Sequence, residues 1–231
     1  MVLSPREQAF PLQNPPRENP GAHSVPSLAA KKLPQGYTQS NMRVLGIDCG
    51  TEFTGYGIVE LLSDGRAAGR EREGCREKDR LVCVTYGAIR VSPREPMPLR
   101  LSRISRGLEE LIAAHHPDRV AIEDVFYALN VKSALKLGQV RGVAMLAAAS
   151  SGLEVAEYSP LSIKSAVVGY GKAEKHQVQQ MIAQLLRLDQ IPEPADAADA
   201  LAIAICHLHT AATLDRQQRS ARAAAHPSRA S

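Results

Sequence analysis

The chain has 231 residues, with 28 Lys and Arg against 24 Asp and Glu and a formal net charge of +4. This mild basic excess admits nucleic acid as a partner without requiring it, and with no unbroken apolar run of about 20 residues there is no candidate membrane span. The four cysteines, Cys49, Cys75, Cys83 and Cys206, make no C-x-x-C pair and no zinc spacing. Free thiols in a reducing cytoplasm are the simplest account of them.

Residues 1–41 hold seven of the fifteen prolines, set among Asn, Gln, Ser and Gly. No apolar period survives there, which predicts a disordered extension, and no continuous apolar stretch makes it a secretory signal. One domain with a full core is expected over residues 42–213. A buried strand at 43–48 turns through Gly50-Thr51 into a second strand at 54–62. Residues 64–80 are nearly all charged or Gly/Ala and read as a long solvated loop. A third strand covers 81–91. Leu101, Ile104, Leu108, Leu111 and Ile112 recur at helical spacing and predict a helix over 99–114. A strand at 119–123, a helix at 131–150, a fifth strand at 153–158 and helices at 160–168, 174–187 and 196–213 follow. From 214 to 231, Arg216, Arg219, Arg222 and Arg229 stand against Asp215 alone, the pattern of a disordered basic tail. Three strands followed by strands alternating with helices predict an α/β fold, a mixed five-stranded sheet flanked by helices.

Four acids stand at telling places. Asp48 closes the apolar run Val44-Leu45-Gly46-Ile47, and Glu123 closes Val120-Ala121-Ile122. Asp196 and Asp199 open a helix and, three apart, share one of its faces. A carboxylate at the end of a buried strand is costly unless a cation meets it. Converging carboxylates suit Mg²⁺, which takes oxygen ligands, and two such ions can clamp the attacking and leaving oxygens of a phosphodiester. Each acid also has a plainer account. Asp48 can cap a turn, Glu123 can form a strand-end ion pair, and Asp196 and Asp199 can serve the helix N-terminus. Asp124 is expected on the opposite strand face from Glu123. Lys164 and Lys175 flank the turn Gly169-Tyr170-Gly171, and Phe126 and Tyr127 follow Glu123 closely. Phe126 is placed either to stack on an exposed base or to plug the core. The histidines have no convergent metal spacing and are expected near the surface.

Five segments carry a resemblance. They are Leu45-Gly-Ile-Asp48-x-Gly-Thr-x-x-Thr-Gly-Tyr-Gly57, Ala121-Ile-Glu123-Asp-Val-Phe126, Ser133-Ala-Leu-Lys-Leu-Gly-Gln-x-Arg-Gly142, Val167-Val-Gly-x-Gly-x-Ala-Glu-Lys175 and Ala195-Asp-Ala-Ala-Asp-Ala-Leu-Ala-Ile-Ala204. Together, over residues 43–210, they resemble the RuvC family of bacterial crossover-junction endodeoxyribonucleases, the Holliday-junction resolvases. The resemblance implies a ribonuclease-H-like fold, a cytoplasmic homodimer, and Mg²⁺-dependent cutting of four-way DNA junctions, with two ions per site and Mn²⁺ as a substitute. It also implies a branch-migration complex of the RuvA–RuvB type as partner. It makes Asp48, Glu123, Asp196 and Asp199 the catalytic, metal-binding acids. Lys164 and Lys175 become DNA contacts, and Phe126 becomes the base-stacking aromatic. The family commonly has proline where Cys49 stands. Its start matches Met42, so an upstream start codon chosen in error is one account of residues 1–41.

Three rival readings remain at this level. One is a ribonuclease-H-fold nuclease acting on another nucleic acid, and one is a junction-binding protein without catalysis. The third is an ATPase, because Asp48-Cys49-Gly50-Thr51 resembles the phosphate-binding turn of actin-like and sugar-kinase proteins. That superfamily needs two large domains and a second glycine-rich motif, and neither is present here.

Overall fold

The computed structural model describes residues 41–62, 80–124 and 131–225, with side chains as far as 214. The expected extension up to residue 40, most of the charged loop (64–79), Phe126 and Tyr127, and the last residues of the tail (226–231) lie outside the described residues. Five strands and five helices follow in the order β1 (Asn41–Asp48), β2 (Phe53–Leu62), β3 (Arg80–Arg90), α1 (Met97–His115), β4 (Arg119–Glu123), α2 (Val131–Ser150), β5 (Glu154–Tyr158), α3 (Pro160–Val168), α4 (Lys175–Leu186) and α5 (Ala195–Ala225). The sheet order is β3-β2-β1-β4-β5. β1 pairs antiparallel with β2, and β2 with β3. β4 joins β1 in parallel, and β5 joins β4 in parallel. This is the mixed sheet of the ribonuclease-H-like arrangement.

Alternation along the strands sends successive side chains to opposite faces. Leu45, Ile47, Ile58, Val120 and Ile122 pack with Ile104 and Leu108 of α1 and with Val140 and Ala144 of α2. Val44, Val59 and Ala121 pack on the other face with Ile163 of α3, Ile182 of α4, and Leu201, Ile205 and Leu208 of α5. Helices therefore cover both faces, and each core is the apolar stripe of its helices laid on one side of the sheet.

α5 is the central helix of its face. Ala195–Leu214 is long and apolar enough to cross a membrane by length and composition, the one such helix among the described residues. Its apolar character is that of a core helix, since Ala197, Ala198, Ala200, Leu201, Ala204 and Ile205 are fully buried. The helix also runs to Ala225, past 213, where the sequence reading begins a disordered tail. The extra turns are rich in Ala, Arg and Gln, which favour helix, and they extend a helix already nucleated by the core. His207 and His209, expected near the surface, are instead half-buried. His207 bonds Tyr158, and His209 bonds the Ala166 carbonyl.

Three strand glycines seat α5. A methyl group on Gly46 would stand 2.0 Å from the Ala200 carbonyl oxygen, one on Gly55 2.0 Å from that of Asp196, and one on Gly57 2.8 Å from the Leu201 backbone nitrogen. Gly46 and Gly57 are partners across β1 and β2, so the helix rests on a patch without side chains. The Gly46→Ala protein is expected to lose about 3 kcal/mol of stability, the upper end of the usual cost of overpacking, because a backbone contact has no rotamer with which to yield. Urea unfolding followed by circular dichroism measures it, and an unchanged midpoint would count against the tight seat.

Candidate active site

The ends of β1 and β4 lie side by side. Their last registered pair is Ile47 with Ile122, so Asp48 and Glu123 are the next residues along. Both point to the α5 face, as Val44, Gly46 and Ala121 do. Gly55, which pairs with Asp48 across the hairpin, is the residue whose missing Cβ admits the Asp196 backbone. The first turn of α5 thus sits beside the β1 end and delivers Asp196, with Asp199 one turn on. The Asp48 turn is itself pinned. Thr54, fully buried, donates its hydroxyl to the Gly50 carbonyl at 3.0 Å, and the buried Arg100 of α1 donates to the Thr51 carbonyl.

Electrostatics report the convergence. Burial pushes the Asp48 carboxyl up to about 7, and the charges of Asp199, Glu123 and Asp196 push in the same direction. Glu123 is raised as well, by burial first and then by Asp199, while Lys164 and Lys175 oppose the rise. Lys175, the first residue of α4, donates to Asp199 Oδ2 at 2.7 Å, and this hydrogen bond raises its own pKa. Its placement follows from a capping box at the start of α4, with the Glu174 amide donating to Gln177 Oε1 at 3.0 Å. The Ser159 hydroxyl caps α3, which carries Lys164, by accepting from the Ser162 amide.

The structure thus brings together Asp48, Glu123, Asp196, Asp199, Lys164 and Lys175. The acids do not close into a ready-made shell. Among the described residues no group of three or more His, Cys, Asp or Glu is gathered around one point, and an ammonium rests on Asp199. Ionised carboxylates near one another repel, and a cation among them offsets that repulsion. The donor set still fits a hard cation. It is all carboxylate, and Asp48 is raised by burial first and then by neighbouring charges that such an ion would neutralise. Asp124 lies on the opposite face, as expected, facing Arg141 of α2. The sequence reading gave no role to Arg100, nor to Arg141, which stands in one of the five segments that carry the resemblance. Both fall within helical runs, where an arginine in the pattern looks like any solvated one.

A raised carboxyl pKa has a defined sign in stability. The folded protein binds a proton on Asp48 up to about pH 7, whereas the unfolded chain gives it up near 3.8. Stability from this group is therefore full below the lower value and is lost as pH rises through the upper one. The metal-free protein should melt higher at about pH 5 than at pH 8, with Asp48 contributing at most about 3 kcal/mol between those two pH values. Asp48→Asn should flatten the slope and raise the melting temperature at pH 8. Thermal melts in EDTA across this range test it, and an Asp48→Asn slope equal to wild type would contradict the assignment.

Comparison with known proteins agrees with this geometry. The family model of the crossover junction endodeoxyribonuclease RuvC matches residues 44–207. The RuvC of Koribacter versatilis is 62% identical over 180 residues, covering 78% of this chain and all of that protein. A Thermus thermophilus RuvC structure superposes with a TM-score of 0.63 at 32% identity, covering 74% of this chain and 96% of that one. The same protein solved in complex with a Holliday junction substrate gives a TM-score of 0.64 at 31% identity, covering 74% and 94%. Nucleases of this family are metal-dependent. With a family model matched over residues 44–207 and a 62%-identical relative covered along its whole length, the chain belongs to the RuvC family of crossover junction endodeoxyribonucleases.

Proposed function

We propose that this chain resolves four-way (Holliday) DNA junctions by paired, symmetric nicks, leaving 5′-phosphate and 3′-hydroxyl ends. It does so as a Mg²⁺-dependent cytoplasmic homodimer in recombination and repair. The observation that carries the reading is the meeting of Asp48, Glu123, Asp196 and Asp199 at one end of the sheet, with Asp48 raised to about 7. Two Mg²⁺ ions, or Mn²⁺ in their place, would supply an activated water and charge for the leaving oxygen. Asp48 and Glu123 hold that site from the sheet, and Asp196 and Asp199 hold it from α5. Lys175 leaves Asp199 for a DNA phosphate, and Lys164 neutralises charge beside Glu123. Phe126 stacks on a base unpaired at the crossover. A branch-migration complex of the RuvA–RuvB type presents the junction.

The outer face of α2 supports the dimer. Val140, Ala144, Ala147 and Ala148 face the core. On the other side, Val131 is 74% exposed, Leu135 66% and Leu146 63%. Gly138 and Gly142 lie between them, and a methyl group on either would meet no other side chain or strand within 4 Å among the described residues, so they do not serve packing on the sheet. An apolar stripe with small residues at its centre suits a second copy of the same helix.

Synthetic four-way junctions should be nicked at paired positions with Mg²⁺ and not in EDTA, in preference to plain duplex or RNA–DNA hybrid. Preference for either other substrate would favour a different nuclease activity, and binding without any cutting would favour the non-catalytic reading. Asp48→Asn or Glu123→Gln should slow cutting by more than about a hundredfold, beyond the cost of changes outside a metal shell, while junction binding persists. Lys175→Ala should lower the salt slope of binding by about one unit. Phe126→Ala should cost roughly 1–3 kcal/mol, seen in single-turnover cutting more than in affinity. Sedimentation should give a dimer, and Gly142→Glu should weaken it at least about tenfold, or 1.4 kcal/mol, with the fold retained. A monomeric wild type at micromolar concentration would refute the dimer.

A further inference from the structure

Arg141 stands behind the active site, on the sheet face away from α5. Its side chain is only 14% exposed, and its guanidinium reaches acids at two neighbouring strand ends. Nη2 is hydrogen-bonded to Glu157 of β5, and Nη1 lies 3.6 Å from Asp124, the residue after β4. These contacts bracket Glu123. Glu123 is paired across the sheet with Tyr158, and Asp124 donates its amide to the Tyr158 carbonyl at 2.8 Å. The guanidinium is also close enough to Cys49, the residue after Asp48, to pull its thiol pKa down against a larger rise from burial. One cation thus faces the residues adjoining both catalytic strand ends.

The strand ends need such a restraint. The registered pairing of β1 with β4 stops at Ile47 and Ile122, one residue short of the acids. Beyond it the carboxylates repel one another, and among the described residues the cations that act on Glu123 from the α5 face are Lys164 and Lys175, which themselves serve the site. Successive strand residues point to opposite faces, so fixing Asp124 from below fixes the direction of Glu123 above. An arginine suits the task, because its planar fork can engage two carboxylates at once and keeps its charge when half-buried.

We propose that Arg141 is a positioning residue for cutting: by tying Asp124 to Glu157 beneath the sheet, it sets where Glu123 stands relative to Asp48. The proposal rests on the nuclease reading but has a readout independent of it. Arg141→Met should lower single-turnover cutting by at least about thirtyfold while junction affinity, measured in Ca²⁺ to suppress chemistry, stays within about twofold. Mn²⁺ binding to the DNA-free protein, followed by calorimetry, should weaken about tenfold, in the range usual for partners that orient metal ligands. Arg141→Lys should recover part of both losses.

Asp124→Asn and Glu157→Gln keep the shape and guard against a misfolded Arg141 variant, since both acids are partly exposed, at 39% and 44%. Each should move cutting and Mn²⁺ affinity in the same direction as Arg141→Met. The double variant Arg141→Met/Asp124→Asn should be little worse than Arg141→Met alone. Wild-type rate and Mn²⁺ affinity in Arg141→Met would overturn the proposal, and so would unchanged values in both acid variants. If the wild type binds Mn²⁺ but cuts no junction, the nuclease reading fails by itself, and the Mn²⁺ series still decides the role of Arg141.

Discussion

The backbone of α5 lies so close to β1 and β2 that any side chain at Gly46 or Gly55 would collide with it. This contact fixes the helix axis relative to the strands to within the softness of packed backbone. Two of the four acids ride on the helix and two on the sheet, so the seat sets the size of the site. Packed interiors are close to incompressible, which is why a site assembled from different elements can hold four like charges together. The same contact accounts for the Ala-rich composition of the helix. Ala197, Ala198, Ala200 and Ala204 let it come down onto the sheet without a gap.

The gathered charge has a cost that the fold carries until a cation arrives. Asp48 expresses it in a carboxyl raised to about 7, where burial adds to the charges of its neighbours. Lys175 offsets part of it from α4 by bonding Asp199, and Lys164 acts on Glu123 from α3. Both lysines are borne by short helices with well-made starts, a Ser159 cap on one and the Glu174–Gln177 capping box on the other. Local hydrogen bonds at these helix starts therefore place both ammonium groups beside the acids.

The sheet separates two kinds of work. On the α5 face are the acids and the lysines. On the α1 and α2 face, two arginines reach the strand ends from below: Arg100 donates to the Thr51 carbonyl in the turn after Asp48, and Arg141 grips Asp124 and Glu157 beside Glu123. Period-two alternation makes this possible, since the residue beside a strand-end acid is presented to the opposite helix layer.

Much of this was legible in the sequence. Short apolar runs ending in Asp48 and Glu123 mark strand ends because the interior of a covered sheet excludes charge. The i, i+3 spacing of Asp196 and Asp199 puts them on one helix face whatever the fold. The strands and helices fall within a residue or two of the expected bounds, except α5, whose end a charge-rich composition disguised. Chain order alone did not decide the rest. That β1 and β4 are neighbours, that Gly46, Gly55 and Gly57 form a seat, and that His207 meets Tyr158 are all long-range pairings. Arg141, although part of a quoted segment, and Arg100 had no role in the sequence reading, and only the packing of α1 and α2 under the strand ends gave them a task. Local patterns fix the periodicity and the caps because those depend on neighbours along the chain. The pKa of Asp48 and the placing of Glu123 depend on groups brought together through space, so only the tertiary structure could decide them.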